Sequence, residues 1–344
     1  MSVRVGINGF GRTGRAAFRA AIERGADIHW AGINDVMGIE MAASLLRHDS
    51  TYGPFPGGVE PHGDVLRAGH VEVPFFAAAE PAEIPWRDAA AEVVIESTGR
   101  FRDRAAAARH VDAGAARVII SAPAKNPDAT VVLGVNFHEA YDPHRHLVIS
   151  NASCTTNCLA PVAKVLHESV GIRHGLMTTV HAYTGDQALL DGPHKDMRRA
   201  RAAAVNIVPT STGAAKALGL VIPELDGRLH GYALRVPVTT GSAVDLTIET
   251  ERATSAEEIN EIFRDLADRD SLAGILAYSD EPLVSTDIVK SPYSAIFDSG
   301  LTSVVDGTSV KVVAWYDNEW GYSNRLLDVA ERVLAFVPAG ANGR

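Results

Sequence analysis

Val3-Arg4-Val5-Gly6-Ile7-Asn8-Gly9-Phe10-Gly11-Arg12-Thr13-Gly14 is the stretch that decides the fold. Its first six residues alternate like a short strand, and the segment from Arg12 to Arg24 is rich in alanine with Phe18 and Ile22 on one face, which predicts a helix. A second strand is expected from Ile28 to Asn34, and Asp35 stands at its end, 21 residues past Gly14. Gly9, Gly11 and Gly14 therefore lie between a strand and a helix, where glycines let the backbone turn tightly and approach a pyrophosphate whose charge faces the helix N-terminus. Asp35 is suited to accept hydrogen bonds from a ribose 2′-OH and to repel a 2′-phosphate, which favours NAD over NADP.

Working outward, strands are expected at Val93 to Ile95, Arg117 to Ser121 and Leu147 to Ile149, with an alanine-rich helix from Asp103 to Ala113 between the first two. This alternation predicts an α/β architecture with a doubly wound parallel sheet of Rossmann type. The pattern changes after a helix at Thr155 to Val170. Longer strand-like runs follow at Gly175 to Ala182, Leu229 to Val238, Ala243 to Thr250 and Ser309 to Tyr316, with helices only at Thr212 to Val221 and Ser255 to Asp268. Such a run reads as an α+β catalytic domain with a mostly antiparallel sheet. The expected division is a dinucleotide-binding domain over 1–153 and a catalytic domain over 154–320. A last helix, Tyr322 to Phe336, is expected to bring the segment 321–344 back onto the first domain.

With 344 residues, 46% hydrophobic and 22% charged, the chain can bury two cores and carries no signature of disorder. No apolar run approaches the roughly 20 residues of a bilayer span, and Met1-Ser2 runs straight into a strand, so neither a membrane partner nor a signal peptide is expected and the expected location is cytoplasmic. A net charge of −10 argues against a nucleic-acid partner held by bulk electrostatics; an anionic substrate must be held by local groups. The two cysteines, four residues apart, make neither a disulfide framework nor a zinc ligand set, and no metal is expected.

Cys154 stands in Ser153-Cys154-Thr155-Thr156-Asn157-Cys158, at the junction of an apolar strand and a helix. Unpaired N–H groups and the positive end of the helix dipole there favour a thiolate, although a free cysteine also serves as a small buried hydrophobe, the reading given to Cys158. A nicotinamide-binding domain followed by such a cysteine points to aldehyde oxidation through a thiohemiacetal and a thioester, a route that needs a base. His181, at the end of the apolar strand Leu176 to Val180, is the leading candidate among 13 histidines, with a purely structural role as its alternative. Two effects of a cysteine–histidine pairing differ in size. Lowering a thiol pKa from about 8.5 to about 6 multiplies the thiolate fraction at pH 7 by roughly 30. The lost basicity costs roughly 13-fold in nucleophilicity, so the net gain is about twofold. Proton transfer by a positioned base is worth about 10²–10⁴. His181 is thus expected to matter most as a proton acceptor.

These residues resemble one family closely, phosphorylating glyceraldehyde-3-phosphate dehydrogenase. The resemblance spans the chain through Gly6-Ile7-Asn8-Gly9-Phe10-Gly11-Arg12, Ser150-Asn151-Ala152-Ser153-Cys154-Thr155-Thr156-Asn157-Cys158, His181-Ala182-Tyr183-Thr184, Ser211-Thr212-Gly213-Ala214-Ala215-Lys216 and Tyr316-Asp317-Asn318-Glu319-Trp320-Gly321-Tyr322-Ser323. It implies Cys154 as nucleophile and His181 as its partner. It further implies Thr184 and Arg235 for the substrate phosphate, and Ser153, Thr155, Arg199, Thr212 and Gly213 for the attacking inorganic phosphate. For NAD it implies Arg12, Thr13 and Asp35, with Ser121 lining the cleft and Asn318 bonding the nicotinamide carboxamide. A glycolytic role and a homotetramer follow from the resemblance alone. The chain departs from the family pattern at Thr13, at Arg47-His48-Asp49-Ser50 and at Val238-Thr239-Thr240-Gly241. Erythrose-4-phosphate dehydrogenase and a non-catalytic NAD-binding scaffold are the alternatives.

Overall fold

The structure, a computed structural model, describes residues 2–334. Their contacts fall into two compact units, one formed by residues 2–131, 138–152 and 323–334, the other by residues 132–137 and 153–322.

The first unit is built on a nine-stranded sheet: β1 (Val3–Asn8), β2 (Ile28–Asn34), β3 (Val59–His62), β4 (Val65–Ala68), β5 (Val71–Phe76), β6 (Val93–Glu96), β7 (Arg117–Ile120), β8 (Ala129–Thr130) and β9 (Val148–Ser150), in the order β3-β4-β5-β2-β1-β6-β7-β9-β8. All pairings are parallel except β3-β4 and β4-β5. The chain leaves β1 towards β2 and later returns to β6 on the other side, so β1 and β6 flank the point where strand order reverses. In such sheets ligands bind beyond the carboxyl ends of the strands at that point, here marked by the paired Asn8 and Glu96.

Helix α1 (Arg12–Arg24) follows β1, and its buried Ala16, Ala17, Ala20 and Ala21 let it lie close to the sheet while Phe18 packs edge-on to Phe10 at 5.8 Å and against Trp30 at 5.1 Å. Gly25, at φ 64°, ends it in the left-handed conformation that glycine adopts without strain. Helices α2 (Ile39–Arg47), α3 (Arg104–Asp112) and the single-turn α4 (Phe137–Ala140) come next in the chain. Asp103 caps α3 by accepting from the N–H of Ala105.

The second unit holds a seven-stranded sheet, β10 (Ile172–Ala182), β11 (Val208–Ser211), β12 (Leu229–Val236), β13 (Ser242–Thr250), β14 (Leu276–Ser279), β15 (Ala295–Val305) and β16 (Ser309–Tyr316), ordered β11-β12-β10-β13-β16-β15-β14. Only β10-β12 and β14-β15 run parallel. Helix α5 (Cys154–Val170) buries Leu159, Val162, Ala163 and Leu166, the stripe expected from the sequence. Helices α6 (Ala214–Val221) and α7 (Ala256–Leu266) complete the layer.

The final helix α8 (Trp320–Arg332) places Leu326, Leu327, Val329 and Ala330 out of solvent, and Arg24 of α1 meets Asp328 at 2.6 Å and Glu331 at 3.1 Å. Partly exposed ion pairs of this kind contribute about 0–1 kcal/mol, so the apolar face carries most of the attachment. The part of the C-terminal expectation beyond residue 334 lies outside the described residues. The fold class is as expected from the sequence. Unforeseen were α2, α4, β3 to β5, which carry Pro61, Gly63 and Pro74, the short β8, β11 and β14, and β15, whose register shifts between Asp298 and Ser303.

Candidate active site

Cys154 opens α5, with Ser153 as the N-cap whose hydroxyl accepts from the N–H of Thr156 at 3.0 Å. His181 closes β10, and the parallel register of β10 with β12 sets Arg235 directly beside it. The Cys154 Sγ lies 3.5 Å from His181 Nε2. At the other ring nitrogen, Nδ1 is 2.6 Å from the carbonyl of Ala182 and 2.8 Å from Arg235 Nη1, which also donates to that carbonyl at 2.9 Å. Donation from Nδ1–H to Ala182 leaves the Nε2 lone pair facing the sulfur, the tautomer that a base needs.

Burial pushes the Cys154 thiol up, while Arg235, the Thr155 hydroxyl and the N–H groups of Thr155 and Cys154 pull it down; the net shift is upward. The helix terminus thus acts as expected but is outweighed by desolvation. His181 moves the other way, to about 3, because of burial first and Arg235 second. It is therefore neutral near pH 7. Cys154 itself is half-buried, whereas Cys158, one turn on, is fully buried and 3.8 Å from the carbonyl of Ala314, as a packing residue would be.

Of the basic side chains expected at the site, Arg199 is engaged with carboxylates. Arg199 binds Asp186 through Nη1, donates from Nε to the Thr210 hydroxyl at 2.8 Å and lies 3.7 Å from Asp196. Thr184 donates to the same Asp186 and accepts from Arg235 at 3.3 Å. Burial raises the Asp186 carboxyl, but Thr184, Arg199 and Arg235 outweigh it and hold the group below its usual value. Arg235 Nε is buried without a hydrogen-bond partner, a donor in want of an acceptor. Thr212 accepts from Ala214 N–H at 3.2 Å, and Gly213 caps the first turn of α6.

Several hydroxyls assigned from the sequence have structural partners. Ser153 caps α5 and lies 2.7 Å from the Thr156 hydroxyl, and the Thr155 hydroxyl lies 2.9 Å from Tyr316 Oη. Asn318 Oδ1 accepts from Ser242 Oγ at 2.8 Å and from Thr240 Oγ1 at 3.3 Å, and Ser242 in turn accepts from Ala182 N–H at 3.1 Å. With its oxygen held, Asn318 has its amide N–H₂ left for a carbonyl acceptor. The first unit holds its own cleft of about 200 Å³, lined by Asn8, Gly9, Gly11, Asn34, Asp35 and Thr98 among others.

A model of the glyceraldehyde 3-phosphate dehydrogenase NAD binding domain matches residues 3–104, and a model of the C-terminal domain of the same enzyme matches residues 153–318. The chain is 59% identical over 330 residues to glyceraldehyde-3-phosphate dehydrogenase 1 of Streptomyces avermitilis, covering 96% of this chain and 98% of that one. It is 56% identical over 339 residues to glyceraldehyde-3-phosphate dehydrogenase of Mycobacterium bovis, covering 97% and 99%. The chain belongs to the glyceraldehyde-3-phosphate dehydrogenase family.

The cofactor of this glyceraldehyde-3-phosphate dehydrogenase fold is NAD, and the first unit fits it. Gly11, the N-cap of α1, makes no side-chain cap, and a Cβ built on it meets nothing within 4 Å, so the helix N-terminus is open to a pyrophosphate. Gly9, at φ 94°, presses on Thr98 N, where a Cβ would come to 2.5 Å. Asp35 accepts from Phe10 N–H at 2.7 Å and from Met37 N–H at 2.9 Å, which fixes its carboxylate at the cleft. Arg12 pairs with Asp49 at 2.5 Å and lies over the Tyr52 ring at 5.4 Å, so its charge is held at the entrance of α1. Thr13 is half-buried in that turn, and Ser121 follows β7 with its N–H on the Glu96 carbonyl at 2.9 Å.

Sequence reasoning on the glyceraldehyde-3-phosphate dehydrogenase motifs left four residues without a role. Tyr316 bridges the Thr155 and Thr179 hydroxyls, each at 2.9 Å, and faces the His181 ring edge-on at 5.9 Å. Asp186 gathers Thr184 and Arg199, and Ser242 and Thr240 hold Asn318. Tyr316 lay within a quoted motif. Thr240 lay in a loop noted only as a departure from the family.

Proposed function

We propose that this chain carries out the NAD-dependent, phosphorylating oxidation of D-glyceraldehyde 3-phosphate to 1,3-bisphosphoglycerate, with residues 1–153 and 321–344 serving the cofactor and residues 154–320 the chemistry. The observation that carries the reading is the 3.5 Å approach of Cys154 Sγ to a neutral His181 whose far nitrogen is held by the Ala182 carbonyl.

The sulfur adds to the aldehyde carbon as its proton passes to His181 Nε2, and His181 hands that proton to the aldehyde oxygen, which gives the thiohemiacetal and returns the imidazole to its neutral form. NAD, held at the glycine turn and Asp35, would supply the acceptor for the hydride on that carbon. His181 takes the thiohemiacetal hydroxyl proton as the thioester forms, the step at which a base gains most. The phosphate oxygen then attacks the acyl carbon, the C–S bond breaks, and Cys154 leaves as thiolate and recovers its proton from His181, which closes the cycle. Arg235, with its unpartnered Nε, and Thr184 are read as the substrate phosphate site. Arg199, Thr212 and Gly213 are read as the site of inorganic phosphate, with Ser153 and Thr155 contributing through the backbone of the α5 N-terminus, since their hydroxyls cap the helix and meet Tyr316.

A homotetramer is supported by exposed apolar side chains clustered in one stretch, Leu189, Leu190, Met197, Val205 and Ile207, with Tyr232 on β12. A cytoplasmic location is supported by the two free cysteines. Among the described residues no helix is long and apolar enough to cross a membrane.

The test is NADH formation from glyceraldehyde 3-phosphate with and without inorganic phosphate. Turnover should require phosphate and vanish in Cys154→Ser. Full activity in the serine variant would overturn the assignment.

A further inference from the structure

The strand ends that flank the cleft in the first unit are tied to a buried polar chain that no step of the chemistry uses. Glu96, the last residue of β6, is buried beside Asn8, the last residue of β1. Its Oε2 accepts from Asn8 Nδ2 at 2.6 Å and lies 3.0 Å from His110 Nε2, and its Oε1 accepts from Thr98 N–H at 2.8 Å and from the Thr98 hydroxyl. Trp86 Nε1–H donates to His110 Nδ1 at 2.9 Å. That bond makes Nδ1 an acceptor, so the ring proton sits on Nε2 and points at Glu96.

The same direction runs along the other arm. Asn34 Nδ2 donates to Asn8 Oδ1 at 2.8 Å, and Ala78 N–H donates to Asn34 Oδ1 at 2.9 Å. Asn34 Nδ2 also donates to the Ala78 carbonyl at 3.0 Å, so both edges of the Asn34 amide are fixed by one backbone unit, and the relay through both arms ends at one carboxylate with no lysine or arginine hydrogen-bonded to it among the described residues. Asn8, Asn34, Ala78 and Thr98 line the cleft, and Thr98 N is the atom against which Gly9 of the glycine turn is packed.

We propose that Glu96, oriented by His110 and Trp86, is a positioning residue for dinucleotide binding: it fixes the amide orientations of Asn8 and Asn34 and the backbone of Thr98, and so the shape of the cleft. The inference rests on that cleft holding NAD. An amide at position 96 brings its own N–H₂ into a ring of donors. Turned towards Asn8, it forces the Asn8 amide to flip and Asn34 to flip after it, until the change meets Ala78 N–H, which cannot turn. Directed at Thr98 instead, it confronts another fixed backbone N–H.

The experiment is NAD binding by fluorescence titration, with steady-state kinetics, on wild type, Glu96→Gln, His110→Phe and the core-cavity variant Val118→Ala of β7. Glu96→Gln is expected to raise both Kd and KM for NAD about tenfold, as a mispaired buried group would. At saturating NAD, kcat should stay within about twofold, because the loss falls on binding. Val118→Ala should lower Tm with KM for NAD unchanged, which separates positioning from general loosening. If Glu96→Gln fails to fold, His110→Phe, which keeps a ring but removes both the donor to Glu96 and the acceptor of Trp86 Nε1–H, is read the same way with a rise of about threefold. Kd and KM for NAD within twofold of wild type in these variants, or a rise no greater than that of Val118→Ala, would overturn the inference. Failure of the wild-type protein to bind NAD would overturn the cofactor reading itself, and this inference with it.

Discussion

Replacing Tyr316 by phenylalanine isolates the contact that joins the nucleophile's helix to the base's strand. The phenol oxygen is fully buried and lies 2.9 Å from the hydroxyls of Thr155 on α5 and Thr179 on β10, both themselves buried. A typical neutral hydrogen bond contributes about 0.5–1.5 kcal/mol net, and a buried group left unpaired costs about 1–3 kcal/mol. Thr155 keeps a second partner in the Cys154 sulfur, so most of the penalty falls on Thr179, and the expected loss is about 2 kcal/mol. For a domain of this size class that lowers Tm by about 4–8 °C. Replacing both threonines by valine as well removes the orphaned hydroxyls together with their partner. The triple variant should accordingly lose less than the sum of Tyr316→Phe and Thr155→Val/Thr179→Val, a coupling of about 1 kcal/mol or more. Calorimetric melts of the four proteins read this directly. Additive losses, or a Phe variant as stable as wild type, would refute the claim that the phenol holds these two elements together.

His181→Asn is expected to lower kcat about 10²–10⁴-fold and to slow alkylation of Cys154 by iodoacetamide, read by stopped flow; wild-type kcat would remove the histidine from the mechanism. The same residue predicts an acid limb of stability. Its folded pKa, about 3, lies below the ordinary 6.5, so the unfolded chain binds the extra proton. Stability from this group is complete above about pH 6.5 and falls as pH drops towards 3, by up to about 1.4 kcal/mol per pH unit. Urea titrations in that range should show a shallower slope in His181→Asn. Asp35→Ser should raise KM for NAD and shift the ratio of kcat/KM values towards NADP by about tenfold, because it removes both the ribose acceptor and the charge that repels a 2′-phosphate; an unchanged ratio would show that another group selects the cofactor.

The parts of the fold governed by local periodicity were legible in advance. The glycine turn, α1 and β2 lie where alternation and alanine spacing put them, and β16 begins and ends at the expected residues. Elements that depend on partners distant in the chain were not. The antiparallel extension at β3 to β5 is rich in turn formers and is held by pairing to β2, which no local pattern reveals. At the site, the residue types that carry charge or sulfur stood out, and Cys154, His181 and Arg235 are brought together by one helix start and one strand register. Their supports did not stand out, because Tyr316, Ser242 and Thr240 act through hydroxyls whose targets lie far away in the chain and are set by tertiary packing. The thiol's balance was also hidden. A helix N-terminus can be read from a string of letters, but the burial that opposes it cannot.

Arg199 resides in a nest of the chain's own carboxylates, bound to Asp186 and close to Asp196. If Arg199 serves inorganic phosphate as proposed, an incoming anion must compete there with tethered acidic side chains at high local concentration, not merely with water. A spherical monovalent ion such as chloride gains little in that contest, whereas a tetrahedral dianion can engage guanidinium, hydroxyl and backbone donors at once. In a protein of net charge −10, such internal competition at the proposed phosphate site would work as a filter for ligand geometry and valence, imposed before any chemistry begins.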